Sequence, residues 1–171
     1  MQNSPMEITN SKKLVCITGN VWTGSRDAPR RLLVNHGFVR PTWFTTRQHI
    51  TDAEYRHIPE AAFHLARMNG EILASMDYHG DFMGIMHSDL ALALDSAEIG
   101  ALVVGPQEIA AQIAAKEARA ILFTFKDSAM ERSRLLDDAE RNGQLHRIDV
   151  DMLQPGAWND AYHQILKVIG L

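Results

Sequence analysis

Short apolar runs rich in β-branched residues alternate with longer helix-patterned stretches along most of this chain, and that alternation leaves few architectures open. Residues 13–18 (Lys-Leu-Val-Cys-Ile-Thr) read as a buried strand running into a glycine-bracketed turn, Gly19-Asn20-Val21-Trp22-Thr23-Gly24. A helix is expected over 26–35, stopped at His36-Gly37. Residues 38–45 read as extended, bent at Pro41. A helix over 60–69 ends at Gly70, and extended pieces at 72–78 and 82–86 flank His79-Gly80-Asp81 as a hairpin. Ser88 is placed to cap a helix over 89–96. Strand, helix, strand follow at 101–104, 107–117 and 120–125. A charged helix over 128–142, a strand over 145–150 and a helix over 157–168 complete the pattern. Continuous apolar strands alternating with helices predict an α/β fold of three layers, a doubly wound parallel sheet with helices on both faces.

The 171 residues suffice for one domain with a real core. With 46% hydrophobic and 22% charged residues, the composition is that of a globular protein. The division expected is a flexible tail over 1–12 and a single domain over 13–171. A net charge of -4 gives no bulk attraction to nucleic acid or to an anionic membrane, so neither is expected as a partner. The first residues lack the apolar core of a signal peptide, and no apolar run approaches the roughly 20 residues of a membrane span. The expected location is the cytoplasm. The single cysteine, Cys16, sits within Leu14-Val15-Cys16-Ile17 and reads as a buried thiol.

In such a sheet ligands bind beyond the carboxyl ends of the strands. The first strand-to-helix turn, Gly19 to Arg26, has the G-x-x-x-x-G frame of a phosphate-cradling loop. Glycines there let successive backbone N–H groups face a phosphate, helped by the positive end of the following helix. A lysine and then a serine or threonine should follow the second glycine, and Ser25 and Arg26 stand there instead. An ordinary strand-to-helix turn remains the competing reading. Trp22 reads either as packing over this loop or as a plug in the donor-phosphate space. Pro29 is tolerated only near a helix N-terminus and predicts a late helix start.

Downstream lie Trp43-Phe44-Thr45-Thr46-Arg47, then Glu54-Tyr55, then residues 70–84 (Gly-Glu-Ile-Leu-Ala-Ser-Met-Asp-Tyr-His-Gly-Asp-Phe-Met-Gly). With the glycine-framed loop, this ordered set resembles the guanylate kinases, which belong to the P-loop nucleotide kinases. Order and spacing agree over 13–105, and 147–151 and 158–166 are similar to that family's last strand and helix. The resemblance implies a P-loop NTPase, guanylate kinase-like fold and phosphoryl transfer from ATP with Mg2+ to a small phosphorylated acceptor, with no tightly bound cofactor. It implies phosphate binding by Gly19, Asn20, Gly24, Ser25 and Arg26. Acceptor binding would fall to Thr45, Thr46, Arg47 and Tyr55, with the arginine gripping the acceptor's phosphate through its fork of donors. Gly84 matches the glycine that ends the hairpin.

The departures carry as much information. The family's second acceptor-binding arginine falls at Ile50, and its guanine-reading glutamate at Ala74. Its two hairpin tyrosines become Phe82 and Met83, and its strand-end carboxylate becomes Gly105. A site without those hydrogen-bonding groups loses its discrimination, so GMP is not the expected acceptor. The stretch Leu102-Val-Val-Gly-Pro106 is more similar to the ribose bisphosphate phosphokinase branch. Two readings follow. One is a catalytically impaired kinase fold that binds a nucleotide, a phosphorylated ligand or a protein partner. The other is an active small-molecule kinase acting on a phosphorylated acceptor other than GMP, with Arg26 serving the missing lysine's catalytic role. Arg132, Arg134 and Arg141 are placed on one continuous helix, paired with Glu131, Asp137 and Asp138, which leaves little room for a separate lid. The eight histidines form no H-x-x-x-H pair, so no metal site is expected. The absence of G-x-S-x-G argues against a serine hydrolase.

Overall fold

A computed structural model of the chain describes residues 12–18, 27–125, 133–148 and 156–171. Its elements are β1 Lys13–Thr18, α1 Asp27–His36, β2 Phe38–Val39, β3 Trp43–Thr45, β4 Tyr55–His57, α2 Glu60–Met68, β5 Ile72–Tyr78 and β6 Asp81–Met86. Then follow α3 His87–Ser96, β7 Gly100–Gly105, α4 Gln107–Lys116, β8 Ala120–Phe125, α5 Arg134–Arg141, β9 Leu145–Ile148 and α6 Ala157–Ile169. None of these helices is long and apolar enough to cross a membrane.

Five strands form one sheet in the order β2-β7-β1-β8-β9, all pairs parallel. The central strand explains the arrangement. Leu14, Val15, Cys16 and Ile17 are all buried, which requires a cover on each face. Leu14 and Cys16 pack with Ile109 and Ile113 of α4. Val15 and Ile17, pointing the other way, pack with Leu32 of α1 and Ile165 of α6. Sheet and two helical layers are the three layers expected. Burial pushes the Cys16 thiol up to about 12, so this cysteine is an inert core residue.

A second sheet, order β4-β3-β6-β5, is mixed: β3 runs parallel to β4, and β6 runs antiparallel to both β3 and β5. Its outer face packs on α2 through Phe44 and Phe63, with Phe82 stacked on Phe63 at 4.3 Å. Its inner face joins the main core through Trp43, Ala74 and Ile85. Two side chains of α4 tie it down. Gln112 Nε2 donates to the Ser75 carbonyl at 2.8 Å, while the Ser75 N–H donates to Gln112 Oε1 at 3.0 Å. The amide thus replaces a neighbouring strand on the β5 edge. Lys116 Nζ donates to the Leu73 and Ile72 carbonyls at 2.6 and 3.2 Å.

Local differences from the sequence expectations have physical causes. Residues 38–45 are two strands, not one, divided between the sheets around Pro41, which has no N–H to give a ladder. The hairpin turn is His79-Gly80, with φ of 54° and 88°, and Asp81 already pairs with Tyr78. Two consecutive positive φ values make the tight turn whose twist suits a hairpin. Ser88 caps nothing. The chain enters α3 straight from the ladder, where the His87 N–H donates to the Glu71 carbonyl. Pro29 lies in the first turn of α1, which begins at Asp27, so its missing N–H costs no helix bond. The helix expected over 128–142 is not continuous. Ser133 is extended and caps α5, accepting a hydrogen bond from the Leu136 N–H through Oγ. Arg134 and Arg141 lie on α5, Arg141 pairs with Asp138, and Arg132 lies outside the described residues.

Gln144, 7% exposed, sits among backbone carbonyls between α4 and β8. Its Nε2 lies 3.1 Å from the Ala114 and Glu117 carbonyl oxygens and 3.3 Å from those of Ala118 and Ala120. Orphaning a buried group costs about 1–3 kcal/mol. Gln144→Ala is expected to lower unfolding stability in urea by about 2 kcal/mol, near the middle of that range. An unchanged urea midpoint would show that these carbonyls find other partners.

Candidate functional site

On β3 the side chains alternate, so Trp43 and Thr45 face inward and Phe44 outward. Past the strand, the three residues Thr45-Thr46-Arg47 divide their work. Thr45 Oγ1 accepts from the Arg47 N–H at 3.1 Å, a local turn that aims residue 47 away from the sheet. Thr46 Oγ1 accepts from the Phe82 N–H, and the Thr46 N–H donates to the Phe82 carbonyl, both at 2.9 Å. Both hydroxyls therefore shape the segment. Arg47 is exposed, and its guanidinium pairs with no carboxylate among the described residues.

The chain returns through residues 48–54 to β4, whose register sets Tyr55 beside Trp43. Asp52 Oδ1 accepts from the Glu54 N–H at 3.0 Å, and the Tyr55 N–H donates to the Asp52 carbonyl at 3.1 Å. Opposite stands the β5–β6 hairpin tip. Between them is an open cleft of about 780 Å³, lined on one side by Thr45, Arg47, His49, Asp52 and Tyr55 and on the other by Tyr78, His79, Asp81 and Met83. His49 and His79 both have positive φ, 60° and 54°, a conformation histidine adopts more readily than most residues. Burial, then the Asp52 and Glu54 carboxylates, hold the Tyr55 phenol above its ordinary value. It is a neutral hydrogen-bond donor at physiological pH. A guanidinium unpaired among the described residues and a neutral phenol in one cleft are the kinds of donor that a small oxyanion can accept from.

Of the sequence-predicted residues, Thr45, Arg47 and Tyr55 line this cleft together, whereas Thr46 is spent on the hairpin. Gly19, Asn20, Trp22, Gly24, Ser25 and Arg26 lie outside the described residues. Arg31 is engaged elsewhere: Nη1 donates to Asn159 Oδ1 at 3.2 Å, and the guanidinium covers the Tyr162 ring at 5.4 Å. Ile50, at the position of the family's second arginine, lines the cleft, and Ala74 is fully buried. No group of three or more histidine, cysteine or acidic side chains suited to a metal occurs among the described residues.

Sequence reasoning missed two partnerships. Arg56, on the opposite face of β4 from Tyr55, makes a bidentate pair with Asp89, 5% exposed, through Nη1–Oδ1 at 3.2 Å and Nη2–Oδ2 at 3.0 Å. A three-residue strand is too short for its alternation to announce that pairing in the sequence. The other is Trp43 with Gly105. A Cβ on Gly105 would meet Trp43 Cη2 at 2.7 Å and Cζ2 at 3.1 Å. Nothing in the local sequence joins those positions.

The chain is similar to a solved guanylate kinase from Anaplasma phagocytophilum at 16% identity. The match covers 94% of this chain and 85% of that one, with a TM-score of 0.58. The fold is therefore guanylate kinase-like, as the sequence motifs implied. No family model matches the chain, and no curated protein does.

The raised phenol has a measurable consequence. Below about pH 10 Tyr55 is neutral in both folded and unfolded chains, so it adds no pH dependence. Above that the unfolded chain releases its proton first, and stability falls as pH climbs through the folded value. Phenolate absorbance is expected to show a late-titrating tyrosine, absent in Tyr55→Phe, and the variant's stability should fall less steeply above about pH 10.

Proposed function

We propose that this protein is a catalytically impaired kinase fold that holds a phosphorylated ligand, a nucleotide or another phosphomonoester, in the cleft between residues 45–55 and the β5–β6 hairpin. The observation that carries this reading is the convergence of Thr45, Arg47 and Tyr55 on one open cleft, with Arg47 unpaired among the described residues. A guanidinium fork meets two oxygens of a phosphate, and the neutral phenol of Tyr55 donates to a third. Thr45 holds the backbone turn that presents the arginine. The Asp52 and Asp81 carboxylates on the cleft walls are acceptors, suited to hydroxyl or amino groups on the body of the ligand.

The guanylate kinase-like fold implies ATP and Mg2+ on the other side of the site. Bound there, the pair would supply the phosphoryl group for transfer. The residues do not fit it well. Ser25 and Arg26 stand where a lysine and then a magnesium-binding hydroxyl are needed. Position 105 carries no carboxylate, and the Trp43 indole fills the space its side chain would take. Phosphoryl transfer relies on positioning and charge neutralisation by these groups, so their loss is the basis for the impairment.

Calorimetry with ribose 5-phosphate, GMP, AMP and inorganic phosphate tests the binding. At least one phosphomonoester should bind, and Arg47→Met should weaken it about ten- to a hundredfold, the worth of a charge-assisted hydrogen bond. Incubated with ATP and Mg2+, the same compounds should yield no ADP above background. ADP release that depends on a phosphomonoester and is lost in Arg26→Ala would replace this reading with the active small-molecule kinase. Failure of every phosphomonoester to bind would remove the cleft as a phosphate site.

A further inference from the structure

Gly105 ends β7 and pairs with Thr18 at the end of β1. This is the carboxyl edge of the central strands, where open α/β sheets hold their ligands. Its backbone does not call for glycine, because it is not among the positive-φ positions. Its surroundings do. The added Cβ would stand 2.7 Å from Trp43 Cη2, and an indole 7% exposed has little room to retreat. The indole also neighbours Tyr55, which lines the cleft. Trp43 and Tyr55 are paired in register, their rings 6.1 Å apart, and Tyr55 packs against the core cluster to which Trp43 belongs. One side chain therefore spans from the bare end of the large sheet to the phenol of the small one.

We infer that Trp43 is the positioning residue of the cleft and that Gly105 is its socket: the indole, braced on the bare backbone of β7, holds the Tyr55 phenol at the phosphate position and occupies the place a metal-anchoring carboxylate at position 105 would need. The ligand is therefore bound without a divalent cation bridging it to β7. The ligand part of this inference rests on the phosphomonoester reading above, whereas the indole–phenol part stands apart from it.

The late phenol titration of Tyr55 serves as a ligand-free readout, assigned by its loss in Tyr55→Phe. Gly105→Ala should push the indole aside, move that titration toward the ordinary tyrosine value and weaken binding of ribose 5-phosphate or GMP about tenfold, the worth of one hydrogen bond. Adding Trp43→Leu to Gly105→Ala vacates the crowded space, so the melting temperature should recover. The phenol titration and the affinity should stay displaced, because the indole is gone. If Gly105→Ala does not fold, Trp43→Leu alone gives the same two readouts without crowding. Wild-type affinity should be the same in EDTA and in millimolar Mg2+. The inference is overturned if Gly105→Ala leaves titration and affinity at wild-type values. It is also overturned if affinity returns with the melting temperature in the double variant, or if EDTA abolishes wild-type binding. If no phosphomonoester binds the wild type, the phosphate reading falls, and the phenol titration still decides whether the indole positions Tyr55.

Discussion

The burial of β1 on both faces is the constraint from which the rest follows. Leu14, Val15, Cys16 and Ile17 leave no side of the strand for water, so the strand needs a neighbour on each edge and helices above and below. Parallel neighbours joined by helices meet that need, and they place the ends of β1, β7 and β8 at one edge of the sheet. A second sheet then docks near that edge, with its inner face merged into the α4 side of the core. The cleft forms on the small sheet beyond the part that is glued down. Ala74 and Ile85 are inside the core, whereas Tyr78, Asp81 and Arg47 lie past the region tied by Gln112 and Lys116.

The large sheet was legible because its signal is local. An apolar run such as Ala101-Leu102-Val103-Val104 announces a buried parallel strand by itself, and the glycines at 37, 70 and 143 adopt the positive φ that ends a helix. The small sheet was harder to read. Its strands β3 and β4 have three residues each, too short for a period of two to show. The pattern around Gly80 pointed to the β5–β6 hairpin, whereas β4 and the separation of these strands into a second sheet were not expected from the sequence. Ser88 went astray for a reason of context. A serine before an apolar run signals a cap only if the preceding residues are free to turn, and at Met86 they are held in a ladder with Ile72.

The site was legible in part, and the division follows the chemistry. The signals at Arg47 and Tyr55 survive in sequence because charge and hydroxyl are residue properties. The roles of Thr45 and Thr46 do not survive, because a hydroxyl that shapes a turn has the same letter as one that meets a ligand. Their bonds to the Arg47 and Phe82 N–H groups tell the two uses apart. The Trp43–Gly105 contact was invisible for a third reason, since it joins elements far apart in the chain and consists of one residue's bulk filling another's absence.

That contact changes how the missing carboxylate on β7 is understood. Taken alone, a glycine in place of an acid is a simple loss that one substitution could reverse. With the indole in place, an acidic side chain introduced at Gly105 would need the space that Trp43 Cη2 and Cζ2 occupy, and moving them would disturb a buried ring that packs on Tyr55. The carboxyl end of β7 and the cleft on the small sheet are thus linked through one side chain. A change that favours a metal at β7 works against the packing of the Tyr55 ring, and that opposition is the geometric basis of the proposal that the cleft holds an oxyanion rather than passing one on.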